Sequence, residues 1–160
     1  MHIPGKLNRQ QKERYNRLFG WLRKRRTHAD DVALQEIHEE VFASTDCLSC
    51  ANCCKTHPPL VNGHDIRRIS AHLGIRSADF VSKYLILDED GDWVLNTVPC
   101  QFLAPDNSCT IYAYRPAACR EYPHTDRKRL YQISELTLKN AEICPAVSVI
   151  LDNMYKKAGI

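Results

Sequence analysis

Tyr15, Leu18, Phe19 and Leu22 recur at i, i+3, i+4 and i+7, the spacing of one helical face. That stripe predicts an amphipathic helix near the start of the chain. A second is expected over about 30–43, with Asp30 or Asp31 at its N-terminus and Leu34, Ile37, Val41 and Phe42 on one side. Its acids, Glu36, Glu39 and Glu40, are placed to face the first helix. His57-Pro58-Pro59 stops helix after the segment 47–54, because proline lacks the N–H and restrains the residue before it. Residues 64–73 then show Ile66, Ile69 and Leu73 on one side, with Gly74 as the stop. Ser77 is the expected N-cap of a short helix carrying Phe80, Val81, Tyr84 and Leu85.

Beyond Leu85 the pattern changes. Asp90-Gly91 is a turn signal followed by Trp93-Val94-Leu95, which has strand character. Phe102-Leu103 and Thr110-Ile111-Tyr112 are short β-like runs on either side of a Pro105-Asp106-Asn107 turn. Arg115-Pro116 opens a short helix bearing Cys119, with proline at its first position. Cys144-Pro145 opens a last helix with Val147, Ile150, Leu151 and Met154 on its buried face, ending near Gly159. The expected fold is mainly α with a small β-hairpin region between 86 and 112, an α+β chain around an irregular cysteine-rich metal-binding core.

Composition narrows the class without changing this picture. At 160 residues, with 44% hydrophobic and 26% charged positions, the chain matches globular averages and neither disordered nor collagenous ones. Its apolar runs, such as 147–151, fall far short of the roughly 18 residues of a membrane span. The start of the chain lacks an apolar signal core, so the expected location is cytoplasmic.

Charge is uneven. Residues 1–26 hold nine Lys/Arg against Glu13, while the rest of the chain is net acidic. The basic residues between 6 and 26 offer an anionic partner a surface: nucleic acid, an acidic membrane, or the acidic face of this same protein. The bland alternative is a solvated helix face. On this basis residues 1–46 read as N-terminal helices appended to or packed on a cysteine-cluster domain, 47–160.

Eight cysteines stand at 47, 50, 53, 54, 100, 109, 119 and 144. A secreted chain would use them as a disulfide framework with 105 connectivities; in a reducing compartment clustered thiols bind metal or do redox chemistry. Cys47-x2-Cys50-x2-Cys53-Cys54 is the strongest motif. Cysteines two residues apart can turn their sulfurs onto one zinc ion, and three in series can cap a 4Fe–4S cube whose fourth ligand is remote. Cys144-Pro145 is the remote Cys-Pro pair. Adjacent Cys53 and Cys54 diverge, so one serves each of two sites, or Cys54 is a buried thiol. Cys100, Cys109 and Cys119 taken singly read as core cysteines; beside the first cluster they become ligand candidates. His57 and His124 are weaker candidates. Asp88–Asp92 lacks the spacing of a calcium loop and reads as a solvated hairpin tip.

Taken together, Cys47-x2-Cys50-x2-Cys53-Cys54, Pro99-Cys100-x-Phe102-Leu103, Cys109-x-Ile111-Tyr112, Arg115-Pro116-x2-Cys119-Arg120-x-Tyr122-Pro123 and Cys144-Pro145 resemble the YkgJ-type CxxCxxCC cysteine-cluster proteins. The resemblance runs over about 47–145. It implies a zinc- or iron-chelating domain in which all eight cysteines are candidate ligands, with Arg115 and Arg120 ordering the loop around Cys119 or offsetting thiolate charge. Flagellin lysine methylases look similar in their cysteine segment, so a redox or group-transfer enzyme stands as the alternative, with a zinc-folded interaction module as the third class. The enzyme would need a pocket reaching the metal, and His57, Glu121 and His124 are the titratable groups at hand.

Overall fold

A computed structural model describes residues 5–160. It is 61% helical with one two-stranded antiparallel sheet, the expected mainly α class with a small hairpin. Among the described residues no helix is long and apolar enough to cross a membrane. The chain forms two compact units, one running to Cys50 and resuming over Pro123–Ile160, the other Ala51–Tyr122. These are divisions of packing, whereas the 46/47 boundary rested on where the cysteines begin.

The first unit contains α1 (Arg9–Arg25), α2 (His28–Ala43), the single turn α3 (Cys47–Cys50), and, after residue 122, α8 (Ser134–Ala141) and α9 (Pro145–Ala158). Asn8 caps α1 in a capping box with Gln11, and the predicted stripe Tyr15, Leu18, Phe19 and Leu22 is buried. α2 starts earlier than expected, at His28, because the Thr27 hydroxyl caps the Asp30 N–H. α9 packs against both α1 and α2, with Ala146, Val147, Ile150 and Leu151 fully buried. Burial of each of Val147, Ile150 and Leu151 contributes roughly 1.5–3 kcal/mol.

Because α9 takes this place, Glu36 of α2 does not pair with α1, and the one ion pair between the two helices among the described residues is Arg25–Asp30 at their adjoining ends. Glu36 pairs with Lys157 of α9, while Lys12 and Arg14 of α1 pair with Glu142 and Asp152. α8 was not foreseen. A 3-10 turn, Leu130–Ile133, leads into it, and its buried Thr137 and Asn140 are satisfied by the Ile133 and Pro123 carbonyls.

The second unit contains α4 (Asn52–Thr56), α5 (Gly63–Leu73), α6 (Ser77–Tyr84), β1 (Leu85–Leu87), β2 (Trp93–Leu95) and α7 (Ala117–Glu121). Strand register pairs Leu85 with Leu95 and Leu87 with Trp93, and Gly91 takes φ +82 in the turn between them. The Asp88 carboxylate accepts the Asp90 and Asp92 N–H groups, so the acidic tip is a self-satisfied turn. Gly74 ends α5 with φ +67 as expected.

Three local expectations need correction. Arg76, not Ser77, is the N-cap of α6; the Ser77 hydroxyl is instead hydrogen-bonded to that of Ser70, 3.0 Å away. Pro116 is the N-cap of α7, one position before the expected site. The runs at 102–103 and 110–112 make only a Leu103–Cys109 bridge. Asn107 at φ +65 turns the chain tightly there, and a 3-10 turn, Tyr112–Tyr114, follows at once.

Candidate metal centre

The cysteine segment is not a loop but two helical turns. The Asp46 carboxylate accepts the Leu48 N–H at 3.0 Å and its carbonyl the Ser49 hydroxyl at 2.8 Å, starting α3. Ala51 at φ +47 then separates α3 from α4.

In the first unit, Cys47 and Cys50 lie three apart on α3, hence on one side of it. Cys144 is the N-cap of α9, with Pro145 at the first helical position as expected. Burial pushes the Cys144 thiol up, and charge on Cys47 and Cys50 adds to this; the Val147 and Ala146 N–H groups at the start of α9 pull the other way. These three sulfurs are therefore electrostatic neighbours, and the helix start favours the anionic form of Cys144.

In the second unit, Cys53 and Cys54 have sulfurs 3.9 Å apart. A hydrogen bond from Cys53 brings the Cys54 thiol down to about 7, with burial opposing it and Lys55 helping. The Cys100 N–H donates to the Cys54 carbonyl at 2.8 Å, docking the 99–103 segment on α4. Cys109 lies across the bridge from Leu103, and Cys119 sits in the middle of α7.

Burial pushes Cys119 up to about 12, and charge on Cys54, Cys100 and Cys109 adds to the rise. Cys100 is raised by burial, then by Cys54 and Cys109; Cys109 is raised by burial and Cys54. Arg115 lowers both Cys109 and Cys119. Its guanidinium donates to the Tyr112 carbonyl at 2.6 Å and stacks on that ring, while Arg120 donates to the Arg115 carbonyl at 2.7 Å. Arg115 is thus the charge-offsetting partner and Arg120 its positioner.

Two residues with a part here escaped the sequence reading. Asp65, 1% exposed, closes a capping box with Asn62 at the start of α5 and also accepts the Ala117 N–H at 3.1 Å. Arg68 pairs with Asp65 and donates to the Tyr114 and Arg115 carbonyls, both at 3.0 Å. Together they hold the chain on the N-terminal side of Cys119. Asn62-x2-Asp65 signals the cap in the sequence, but nothing local signals the reach to Ala117.

None of the eight cysteines is in a disulfide, so the disulfide framework is not formed. Among the described residues no three His, Cys, Asp or Glu side chains converge on one ion position. The donor set nevertheless suits a soft metal: charge on nearby cysteines disfavours the thiolates of Cys100, Cys109, Cys119 and Cys144, a situation a cation relieves. His57 is exposed and hydrogen-bonded to Thr56, and His124 is half-buried at φ +65; neither joins the thiol sets. A groove of about 710 Å³ is lined by no cysteine, nor by His57, Glu121 or His124.

A family model described as "CxxCxxCC: Putative zinc- or iron-chelating domain" matches residues 46–145. No curated protein and no solved structure matches the chain.

Proposed function

Because the chain belongs to the CxxCxxCC family of zinc- or iron-chelating domains, we propose that it is a metal-binding protein with two thiolate centres, one in each unit. Cys54, Cys100, Cys109 and Cys119 form one set and Cys47, Cys50 and Cys144 the other. What carries this reading is the grouping of the thiols: charge on Cys54, Cys100 and Cys109 adds to the rise at Cys119, and charge on Cys47 and Cys50 adds to that at Cys144.

Four thiolates suit one tetrahedral zinc or iron ion. Arg115 then neutralises part of the excess negative charge, and Cys53 supports the thiolate of Cys54. The other set sits at the start of α9, where backbone N–H groups favour an anion, the environment suited to an iron–sulfur cluster. Bound metal draws the sulfurs of each set inward from their present separation, so binding and local ordering are coupled.

The test is metal and sulfide analysis of anaerobically purified protein beside two variants. Cys119→Ser is expected to lose a single-ion equivalent and keep the visible iron–sulfur absorbance; Cys144→Ser should do the reverse. If both variants empty the same metal together, the two-centre assignment is overturned. A colourless anaerobic sample holding zinc alone, even after reconstitution with iron and sulfide, overturns the iron–sulfur assignment.

A further inference from the structure

We propose that the groove at the C-terminal end of α1 binds the phosphate backbone of single-stranded nucleic acid. It lies wholly within the first unit, with a volume of about 710 Å³, between the end of α1 and the chain from Tyr131 to Lys139. Arg23, Arg26 and Lys139 line it against one acid, Glu135.

The charge on α1 divides by position. Towards its N-terminal half, Arg9, Lys12 and Arg14 pair with Glu13, Glu142 and Asp152. At the other end Arg25 pairs with Asp30, while Arg23 and Lys24 are exposed and in no ion pair among the described residues. Arg26 is held at the helix end, its N–H donating to the Leu22 carbonyl and its guanidinium to that of Arg23. Basic residues in a last helical turn also complement the helix dipole. That account covers Arg23 and also Lys139, in the last turn of α8, but not the concavity that brings the ends of two helices together with Arg26.

The opposite wall strengthens the reading. It includes the first turn of α8, Ser134 to Leu136, and the exposed run Arg127-Lys128-Arg129 leads into it along the chain. Half-buried Tyr131 and 43%-exposed Leu136 add apolar surface to the lining. Cations tracking a backbone beside aromatic and apolar surface are the elements of single-strand recognition. A membrane is disfavoured because the apolar stripe of α1 is already buried in the unit's core. A strand is preferred to a lone phosphate because the chain segments that line the groove carry further exposed cations, Lys24 on α1 and Arg127 and Lys128 before Tyr131.

The experiment uses the full metal-loaded chain and a fluorescein-labelled 12-nucleotide poly-dT, read by anisotropy at several salt concentrations. The expected log–log salt slope is about −2, from three phosphate contacts at ~0.7 each. The triple variant Arg23→Gln, Arg26→Gln, Lys139→Gln should weaken binding at least about tenfold and flatten that slope, with helicity and metal content unchanged. Arg9→Ala, on the same helix, should leave binding as it was. Equal binding by the triple variant, an equal loss in Arg9→Ala, or binding to phosphatidylserine vesicles without binding to the oligonucleotide would each overturn the proposal. The metal analysis of the two cysteine variants is a separate readout, so this inference and the two-centre assignment fail independently.

Discussion

The two units hold their shape by different means. The first buries a cluster of sixteen residues drawn from α1, α2, α8, α9 and flanking segments; the second buries eight. The second also has short helices, a hairpin with strands of three residues each and no helix beyond the 11 residues of α5. What it has instead is a set of polar ties: Asp65 to Ala117, Arg68 to two carbonyls, and Cys100 to Cys54. Apolar packing stabilises a unit whatever is bound to it. A small core with grouped, half-buried thiols depends on what the thiols hold.

Metal removal is the largest lever on that contrast. Stripping the protein with a strong chelator under reducing conditions should accelerate hydrogen exchange across 51–122 by about a hundredfold or more. Protection in α1, α2 and the body of α9 should persist. Equal loss of protection in both units, or none in either, would show that the contrast in core size does not decide metal dependence.

A pair of substitutions sharpens the contrast at the next scale. Leu34→Ala removes a side chain 1% exposed and should cost about 2–5 kcal/mol in denaturant unfolding, with metal per chain unchanged. Asp65→Ala strands the Ala117 N–H and frees Arg68, costing about 1–3 kcal/mol, and should also lower metal content at the Cys54, Cys100, Cys109 and Cys119 set. Metal loss in Leu34→Ala, or full metal in Asp65→Ala, would reverse the assignment of roles.

The smallest effect is one of pH. Arg115 holds the Cys109 and Cys119 thiols lower than burial alone would. Removing it raises both, so protons compete better for the sulfurs and the pH of half-maximal metal release moves upward. Arg115→Ala should show this shift with a chromogenic chelator, and Arg115→Lys should recover part of it. An unchanged midpoint would leave Arg115 with only its hydrogen bond and ring contact at Tyr112.

Periodicity made α1, α2, α5 and α9 readable because a buried face repeats within a few turns of its own helix. The Gly74 and Gly159 stops and the Asp90-Gly91 turn were equally local. α8 was hidden because two of its three buried residues, Thr137 and Asn140, are polar and suited to burial only by carbonyls supplied in the fold. The charge of α2 was misplaced for a related reason: amphipathic pattern shows that a face is buried or exposed, not which helix meets it.

At the candidate metal centre, the sequence by itself determined the candidate donors: eight cysteines, the Cys47–Cys54 spacing, and Cys144 at a helix start. Spacing is a local property, and neighbouring residues impose it directly. Tertiary structure alone decided which thiols feel one another, that Cys54 is the acidic one at about 7 and Cys119 the most resistant at about 12, and that Asp65 reaches Ala117. The Cys119 and Asp65 outcomes depend on burial and on groups brought close by closing loops of tens of residues, while Cys54 is lowered by its chain neighbours Cys53 and Lys55 once α4 sets their geometry. The electrostatic energy follows distance in space, not distance along the chain.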